Sequence, residues 1–305
     1  MDPFYYSFNN YLKTRFQSRV RRISLNAGFG CPHRDEKLGL KGCFYCNESG
    51  FVSYKDIKLS LVEQIETSMA IFKKQFKADK FIAYFQNASN TYAPVEDLKQ
   101  IYDVIKQFDQ IIGLAISTRP DCIDDQKLKL IDSYCGQYEV WLEYGLQSIH
   151  IQTLELLNRQ HTMQDFLDAV AKTAKTRIKI AAHVMLGIPG ESRQDMIATA
   201  LSLARLPIQA VKVHIFHILK NTRFAEIYEQ EQFKLISEPE YVRIACDFLE
   251  HLKPDCAIMR LVSESSQELL IAPLWMNQKQ KILHAIGNEF QKRGTHQGSY
   301  WGKNK

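Results

Sequence analysis

Residues 23–47 read ISLNAGFGCPHRDEKLGLKGCFYCN, and this stretch decides how the rest of the chain is interpreted. The apolar run at its start, residues 23–27, predicts a short β-strand. The strand leads into a glycine-containing loop with three cysteines, Cys31, Cys43 and Cys46. Two cysteines separated by two residues, with a third returned by the loop, can direct three sulfurs at one metal centre. Thiolates bind iron–sulfur clusters and zinc, so we expect a metal site here.

Short apolar runs alternate with amphipathic stretches along the whole chain. The predicted strands are residues 23–27, 81–85, 111–117, 139–144, 178–186 and 210–219. The predicted helices are residues 59–76, 95–108, 124–134, a part of 151–175, 192–204 and 222–233, with two more at 241–252 and 278–292. Strands that are apolar on both faces and separated by helices indicate a parallel sheet with helical crossovers. We therefore predict an α/β fold, a partial (βα)6 TIM-like barrel with a small, mostly helical C-terminal extension.

The composition is that of one large core with a small appendage. The chain has 305 residues, of which 45% are hydrophobic. We predict a basic N-terminal segment at 1–22, a barrel core at 23–235, and a C-terminal extension at 236–305 that packs on the barrel. Seven cysteines, an odd number in a chain of this length, favour reduced thiols or metal ligands over a disulfide framework.

In βα barrels the chemistry lies at the C-terminal ends of the strands. The unusual residues of this sequence follow those ends, at 28–33, 86–90, 117–122, 143–148, 187–191 and 214–221. His214 and His217 are three residues apart on a predicted strand, so we expect them to face opposite sides. Lys220, Asn221 and Thr222 either contact a substrate anion or cap the next helix.

The cysteine loop is compatible with two kinds of metal site. Structural zinc generally takes four protein ligands, and His33 could be the fourth beside the three cysteines. Three cysteines without a fourth ligand instead suit a cluster with one open iron, and an open metal position is where chemistry takes place. The residues alone leave both interpretations open.

Together these features resemble the radical SAM superfamily over roughly residues 15–235. The segment 31–47, CPHRDEKLGLKGCFYCN, is similar to the long-spaced cysteine loop of the YhcC/YtqA-like family, and the similarity extends to IAPLW at 271–275. The first spacer is longer than in the superfamily's usual C-x3-C-x2-C. The related elongator-type catalytic subunits have the same longer spacer.

The resemblance implies a cofactor site. Cys31, Cys43 and Cys46 would bind three irons of a 4Fe-4S cluster, and the fourth iron would chelate S-adenosylmethionine. Reductive cleavage of that cofactor yields a 5′-deoxyadenosyl radical, which takes a hydrogen atom from the substrate. Tyr45 would pack against the adenine, and Gln86 begins the segment that replaces the superfamily's Gly-Gly-Glu. Further cofactor contacts are implied for Ser117, Arg119, Glu143, Gln147, Gly187 and Pro189.

The resemblance also implies a substrate. The related elongator-type enzymes act on the wobble uridine of tRNA, and the YtqA branch is associated with the aminomethyl-type substituent at carbon 5 of that base. We therefore expect conversion of a carboxymethylaminomethyl group to an aminomethyl group. Cys122, beyond the third predicted strand, is either a radical-quenching hydrogen donor or a free buried thiol. Two alternatives stay open: a radical SAM enzyme for a small metabolite or peptide, and a non-catalytic, zinc-stabilised RNA-binding protein.

The charge distribution bears on the partners. Residues 1–22 carry five cations against one carboxylate, and residues 278–305 carry six against one. Basic ends of this kind indicate either tRNA binding or only a solubilising fringe. The aromatic tail around Trp275 and Trp301 suits base stacking or packing on the barrel. We also expect a flavodoxin- or ferredoxin-type electron donor. No apolar run approaches the length of a membrane span, so we expect a cytoplasmic protein without a membrane partner.

Overall fold

A computed structural model describes residues 4–34, 42–47 and 59–303. Its strands are β1 Val20–Leu25, β2 Lys80–Phe85, β3 Ile111–Thr118, β4 Glu139–Gln147, β5 Lys179–Leu186, β6 Ala210–Ile215, β7 Ile218–Leu219, β8 Ala257–Arg260 and β9 Leu270–Ala272. Its helices are α1 Phe8–Phe16, α2 Leu61–Phe76, α3 Val95–Asp103, α4 Asp125–Ser133, α5 Ile151–Leu156, α6 Met163–Thr173, α7 Arg193–Ala204, α8 Arg223–Glu229, α9 Glu238–His251 and α10 Lys279–Arg293. Every predicted strand and helix has a counterpart whose ends differ by a few residues, but the predicted strand 210–219 is divided into β6 and β7, and the predicted helical region 151–175 into α5 and α6.

Seven strands form one parallel sheet in the order β1-β2-β3-β4-β5-β6-β8. β7 and β9 pair antiparallel in a separate small sheet. The sheet curls until its two edges approach, so that Nη1 of Arg22 on β1 lies 3.6 Å from the sulfur of Met259 on β8. The predicted α/β partial barrel is confirmed, and a seventh strand from the C-terminal region extends it.

Small inward-facing residues make room for a helix inside one end of the barrel. Side chains alternate along a strand, and Trp141 of β4 points inward among alanines of four other strands: Ala115, Ala181, Ala210 and Ala257. The ring of Phe8 on α1 meets Trp141 edge-on, with ring centroids 5.4 Å apart. Tyr11 on α1 donates a hydrogen bond to Glu139, the first residue of β4. α1 therefore plugs the barrel at the N-terminal ends of the strands.

Reciprocal side-chain caps fix where four of the helices begin. In each, a Ser or Thr side chain accepts a hydrogen bond from the third backbone N–H, and an acidic side chain accepts one from the cap residue. The pairs are Ser60–Glu63, Thr162–Asp165, Ser192–Asp195 and Ser237–Glu240. The cap at Thr162 explains why the predicted helical region 151–175 contains two helices. Between them, Asn158 and Gln160 have positive φ angles of 52° and 56°.

The C-terminal region packs against the outer helices. Asp247 on α9 accepts hydrogen bonds from Nη2 of Arg193 on α7 at 2.7 Å and from Nη1 of Arg293 on α10 at 2.8 Å. β1 begins at Val20, inside the predicted N-terminal segment, and β8 joins the sheet from inside the predicted extension. The division into three segments stays a prediction. Among the residues described, no helix has the length and apolarity needed to cross a membrane.

Candidate active site

A cavity of about 1040 Å³ opens at the C-terminal ends of the parallel strands. Residues that follow β1, β2, β3, β4 and β6, and the segment that follows β8, line it together with inward-facing strand residues. This is the end of a βα barrel where chemistry takes place. Cys31, Cys43 and Cys46 all lie on the cavity wall. The fold therefore brings the three predicted ligands to one site.

The segment 42–47 is held in place from the far side of the cavity. The backbone N–H of Phe44 donates to the carbonyl of Leu157 at 3.1 Å, and its carbonyl accepts from the N–H of Phe224 at 3.2 Å. Nδ2 of Asn158 donates to the first carbonyl of the segment at 2.8 Å. The loop leaves from β1, but its last two cysteines are anchored against the residues that follow α5 and β7.

Arg159 is buried against the second cysteine. Its Nη1 lies 3.4 Å from Sγ of Cys43 and 3.2 Å from the hydroxyl of Tyr45, and its Nη2 donates to the carbonyl of Gly145 at 2.7 Å. A cation beside a sulfur stabilises the thiolate, which is the form that binds metal. The sequence does not single out Arg159, because one arginine between two helices has the pattern of a surface residue.

The wall suits a cluster held by three cysteines. His33, the predicted fourth ligand of a zinc site, is buried and is not among the described residues that form the wall. The described residues contain no group of three His, Cys, Asp or Glu side chains placed to hold one metal ion. The charges of Cys31 and Cys43 act on the Cys46 thiol, so the three sulfurs are neighbours, and in a cluster each would bind its own iron. Burial raises the pKa of the Cys46 thiol to about 12, and coordination by a metal would deprotonate it.

The turn after β2 occupies the place of the predicted Gly-Gly-Glu replacement. Gln86, Asn87 and Ala88 line the cavity. Ala88 has a φ angle of 56°, a left-handed conformation that is uncommon for a residue with a Cβ atom. The N–H of Ser89 donates to the carbonyl of Gly30 at 3.1 Å and ties the turn to the cysteine loop. The side-chain amides of Gln86 and Asn87 thus lie where the superfamily's Gly-Gly-Glu segment would have a carboxylate, which this sequence lacks.

Ser117, Arg119 and Gln147 also line the cavity. Arg119 donates to both carboxylate oxygens of Asp121, at 2.8 and 2.7 Å, and to the carbonyl of Arg159 at 2.9 Å. Its Nη1 and the Oε1 of Gln147 are buried without a hydrogen-bond partner in the part of the chain described. Buried polar atoms are normally satisfied, so these two atoms indicate a polar ligand in the cavity.

Three predicted cofactor contacts lie outside the described cavity wall. β4 extends to Gln147, three residues beyond its predicted end, so Glu143 is inside the strand and not at its mouth. Gly187 and Pro189 follow β5 without reaching the wall. Gly187 has a φ angle of 83°, and a Cβ atom there would lie 2.5 Å from Cδ1 of Ile236. Backbone conformation and close packing both favour glycine at this position, and the contact of Gly187 and Pro189 with an adenine stays a prediction.

Glu143 is the centre of an ionic layer under the cavity. Its fully buried carboxylate accepts from Arg22 and lies 2.7 Å from Nε2 of His183 and 3.5 Å from Nζ of Lys212. Lys212 also donates to the hydroxyl of Tyr84 at 2.7 Å. Burial alone would raise the pKa of Glu143, but Arg22 and Lys212 hold it well below the ordinary value. Burial and the charge of Lys212 lower the pKa of His183 to about 4, so its imidazole is neutral at pH 7.

His214 and His217 both line the cavity, so the prediction that they face opposite sides is wrong. β6 ends at Ile215, and His217 therefore lies in the turn to β7, where strand alternation does not apply. Nδ1 of His217 lies 2.8 Å from the carbonyl of Ile215. The helix-cap interpretation is correct for Thr222, whose hydroxyl accepts from the N–H of Ala225 at 3.2 Å.

Parts of both basic ends of the chain lie away from the cavity, whereas Lys279 pairs with Glu264 of the cavity wall. Arg15 on α1 pairs with Glu139, which begins β4, and Nε2 of Gln297 donates at 2.7 Å to the carbonyl of Cys256, just before β8. Both termini are thus near the N-terminal ends of the strands. Three cations of the C-terminal end also have carboxylate partners, in the pairs Lys279–Glu264, Lys281–Glu238 and Arg293–Asp247. The charge at the termini therefore gives little support to RNA binding at the cavity.

The two tryptophans of the C-terminal tail have different environments. Trp275 packs on Tyr241, with ring centroids 5.6 Å apart, so it is part of the core. Trp301 is 48% exposed, but it follows the segment that packs near the start of β8. Neither tryptophan is at the cavity.

Cys122 is buried in the turn after β3 and is not among the described residues that line the cavity. Its carbonyl accepts from the hydroxyl of Thr91 at 2.7 Å. Burial raises the pKa of its thiol to about 11, so the group is a neutral thiol at pH 7. A role as hydrogen donor to a radical stays a prediction.

The chain matches two family models, "Radical SAM superfamily" over residues 25–203 and "Radical_SAM C-terminal domain" over residues 208–292. It is 40% identical to the uncharacterized protein MJ0486 of Methanocaldococcus jannaschii, over 95% of this chain and 90% of that protein. It is 33% identical to the uncharacterized protein YtqA of Bacillus subtilis, over 97% of this chain and 92% of that protein.

Two further similarities concern larger proteins. The structure of the archaeal Methanocaldococcus infernus Elp3 with an N-terminal deletion superposes with a TM-score of 0.66, at 16% identity, over 94% of this chain and 68% of that chain, and shows the same fold. The tRNA uridine(34) acetyltransferase of M. jannaschii is 26% identical over 44% of this chain and 25% of that protein. The match to the radical SAM family model over residues 25–203 overturns the alternative of a non-catalytic zinc protein. The chain belongs to the radical SAM superfamily, a family of enzymes whose cofactors are a 4Fe-4S cluster and S-adenosylmethionine.

Proposed function

We propose that this enzyme modifies the carbon-5 substituent of the wobble uridine in tRNA, converting a carboxymethylaminomethyl group to an aminomethyl group. The bond between the amine nitrogen and the carboxymethyl carbon would break, and the two carbons would leave as glyoxylate, with its aldehyde oxygen from water and its two electrons taken up by S-adenosylmethionine. The observation that carries the proposal is the cavity, which has three cysteines on its wall and also the cations Lys212 and Arg260. Its volume of about 1040 Å³ is slightly above the roughly 300–1,000 Å³ typical of ligand sites. There is room for a cofactor and for a nucleoside extruded from its RNA. The partial similarity to a tRNA uridine(34) acetyltransferase supports the same nucleoside as the target.

The residues around the cysteines would hold and orient the cofactors. Cys31, Cys43 and Cys46 would bind the cluster, and Arg159 would stabilise the Cys43 thiolate. When bound, the cluster and S-adenosylmethionine supply a radical that abstracts a hydrogen atom from the substrate. The free Oε1 of Gln147 offers an acceptor to a polar ligand. The rest of the protein's task is to position the two reactants and to exclude water.

The RNA would be contacted at the rim of the cavity. Lys220 is exposed between β7 and α8, and it forms no ion pair with the residues that the structure describes. Its backbone N–H donates at 2.8 Å to the carbonyl of Leu269, which lines the cavity. A cation at this position can reach a phosphate next to the extruded nucleoside.

The remaining partner, the electron donor, is proposed from the chemistry of radical SAM enzymes. Radical SAM enzymes need one electron from outside the chain, and a flavodoxin- or ferredoxin-type protein of the cytoplasm is the proposed donor. Deoxyadenosine formation with such a donor, in place of dithionite, would measure its competence.

The substrate is tested with tRNA from a strain that lacks this gene. We expect the deletion strain to accumulate 5-carboxymethylaminomethyluridine, the wild-type gene to restore its conversion, and the Cys43→Ala gene not to restore it. A nucleoside profile unchanged by the deletion would exclude this substrate. A small metabolite or a peptide would then be the remaining class, and binding of such a substrate lacks the steep salt dependence of tRNA binding.

A further inference from the structure

Arg260 ends β8, where it lines the cavity next to its register partner, Lys212 of β6. Its guanidinium makes no hydrogen bond or ion pair within the described part of the chain. No hydrogen bond or ion pair joins it to Glu264 or Glu268, the acidic residues of the cavity wall, and the charges of Glu143 and Glu264 act on it only over a longer range. A guanidinium has five N–H donors and no acceptor, so this one is a binding group without a protein partner.

The carboxylates nearest to this guanidinium are already bound by other cations. Glu143 accepts from Arg22 and lies 3.5 Å from Nζ of Lys212. Glu264 binds Nζ of Lys279 at 2.7 Å. Arg22, Lys212 and Arg260 thus share one buried carboxylate, that of Glu143. Lys212 is buried and Arg260 is half-buried, and this partial desolvation lowers the pKa of both groups. An anion that entered the cavity beside them would stabilise their charged forms.

We propose that Arg260, with Lys212 beside it, binds a carboxylate of the substrate inside the barrel. A planar guanidinium matches a carboxylate through two parallel hydrogen bonds. The site lies inside the barrel, where an extruded base can enter, while the phosphates of an RNA backbone stay at the rim.

The identity of this carboxylate rests on the proposed function: it is the terminal carboxylate of the carboxymethylaminomethyl group. Contact with Arg260 would fix that group within the cavity that the three cysteines line. The aminomethyl product has no carboxylate, so it would lose the contact. The guanidinium thus distinguishes substrate from product.

The first test measures turnover of tRNA from the deletion strain by the reconstituted enzyme. We expect Arg260→Gln to lower kcat/KM by about 10–100-fold, as the loss of a charged hydrogen bond predicts, and Arg260→Lys to restore part of it. Arg205→Gln is the matched control, since Arg205 is exposed at the end of α7, away from the cavity. A wild-type rate in Arg260→Gln would overturn the inference. A fall in affinity for S-adenosylmethionine as large as that for tRNA would also overturn it, because the guanidinium would then serve the cofactor.

The second test needs no cofactor and no tRNA. The melting temperature of the apoprotein is measured in malonate and in chloride at equal ionic strength. Malonate should stabilise the wild type, Arg260→Lys and Arg205→Gln more than Arg260→Gln. Equal responses of the wild type and Arg260→Gln would overturn the anion site.

The two tests together separate the inference from the proposed function. If malonate raises the melting temperature of the wild type more than that of Arg260→Gln, but the wild type does not convert the tRNA, the anion site stands and the proposed function fails. If the tRNA is converted and Arg260→Gln has no effect in either test, the proposed function stands and the inference fails.

Discussion

The guanidinium of Arg159 lies 3.4 Å from Sγ of Cys43 and 3.2 Å from the hydroxyl of Tyr45, within a site that has no other described cation in contact with Cys43. The charge of Arg159 is buried, so water screens it weakly. A positive charge at this distance favours the thiolate, and it favours the more negative, reduced state of a cluster that the thiolate binds.

We therefore expect Arg159→Met to weaken iron retention by about 10–100-fold and to make the reduction potential more negative. Arg159→Lys, which keeps the charge, should recover part of both properties. Iron analysis and a redox titration followed by electron paramagnetic resonance measure them. A potential identical in the wild type and in Arg159→Met would show that the guanidinium has only a packing role.

The seven cysteines should divide into ligands and free thiols. Cys31→Ala, Cys43→Ala and Cys46→Ala should each lose most of the about four irons expected per chain, together with formation of 5′-deoxyadenosine. Cys246→Ala is the matched control, because its sulfur is buried away from the cavity and contacts the carbonyl of Ile286. Full iron content in Cys43→Ala would contradict the assignment of the cluster to these three residues.

The strands and the cysteine loop are predictable from sequence because both are local patterns. Apolar runs such as that of β3 specify a buried strand without reference to distant residues. The ionic layer is different, since Arg22, Glu143 and Lys212 belong to β1, β4 and β6 and meet only when the sheet curls. One feature of the sequence does indicate such a layer: a single charged residue inside an otherwise apolar strand, such as Lys212 in AVKVHI at 210–215.

Errors in predicted strand ends account for two residues whose positions on the strands differ from those expected. Glu143 was expected at a strand end, but β4 continues for four more residues. His217 was expected on a strand, but β6 ends two residues before it. Strand ends depend on tertiary contacts, such as the hydrogen bond from the N–H of Ile215 to the hydroxyl of Ser263 at 3.1 Å, and no local pattern encodes these.

Removal of the central carboxylate should destabilise the protein. Glu143→Gln leaves the buried Lys212 and the half-buried Arg22 without a charge partner, and losing one member of a buried pair costs about 3–5 kcal/mol. Glu155→Gln, the same change at an exposed position on α5, should alter the free energy of unfolding by less than about 0.5 kcal/mol. Urea unfolding of the apoproteins at pH 7.5 measures both. Equal stabilities of the two variants would contradict the ionic layer's contribution.

The buried histidine of that layer should make stability depend on pH. The pKa of His183 is about 4 in the folded protein and about 6.5 in an unfolded chain, so the unfolded state binds the extra proton between these values. Its contribution is fully present above pH 6.5 and is lost as the pH falls towards 4, by up to about 3 kcal/mol. In urea unfolding at pH 7.5, 6.0 and 5.0, His183→Gln should therefore lose less stability than the wild type. Parallel losses in both proteins would show that other groups cause the dependence.

The position of the cavity predicts which cations bind tRNA. Lys220 is exposed at the rim, while Lys13 is exposed on α1 at the opposite end of the barrel. If the nucleoside enters the cavity, Lys220→Gln should weaken tRNA binding and reduce the slope of log Kd against log salt by about 0.7–0.9, the value of one phosphate contact. Lys13→Gln has the same charge change and should leave both quantities near the wild-type values. Filter binding over a range of salt concentrations measures them. A larger effect from Lys13→Gln than from Lys220→Gln would mean that the tRNA docks on the basic ends, and the reaction would then need a nucleoside that reaches the cavity from the far side of the barrel.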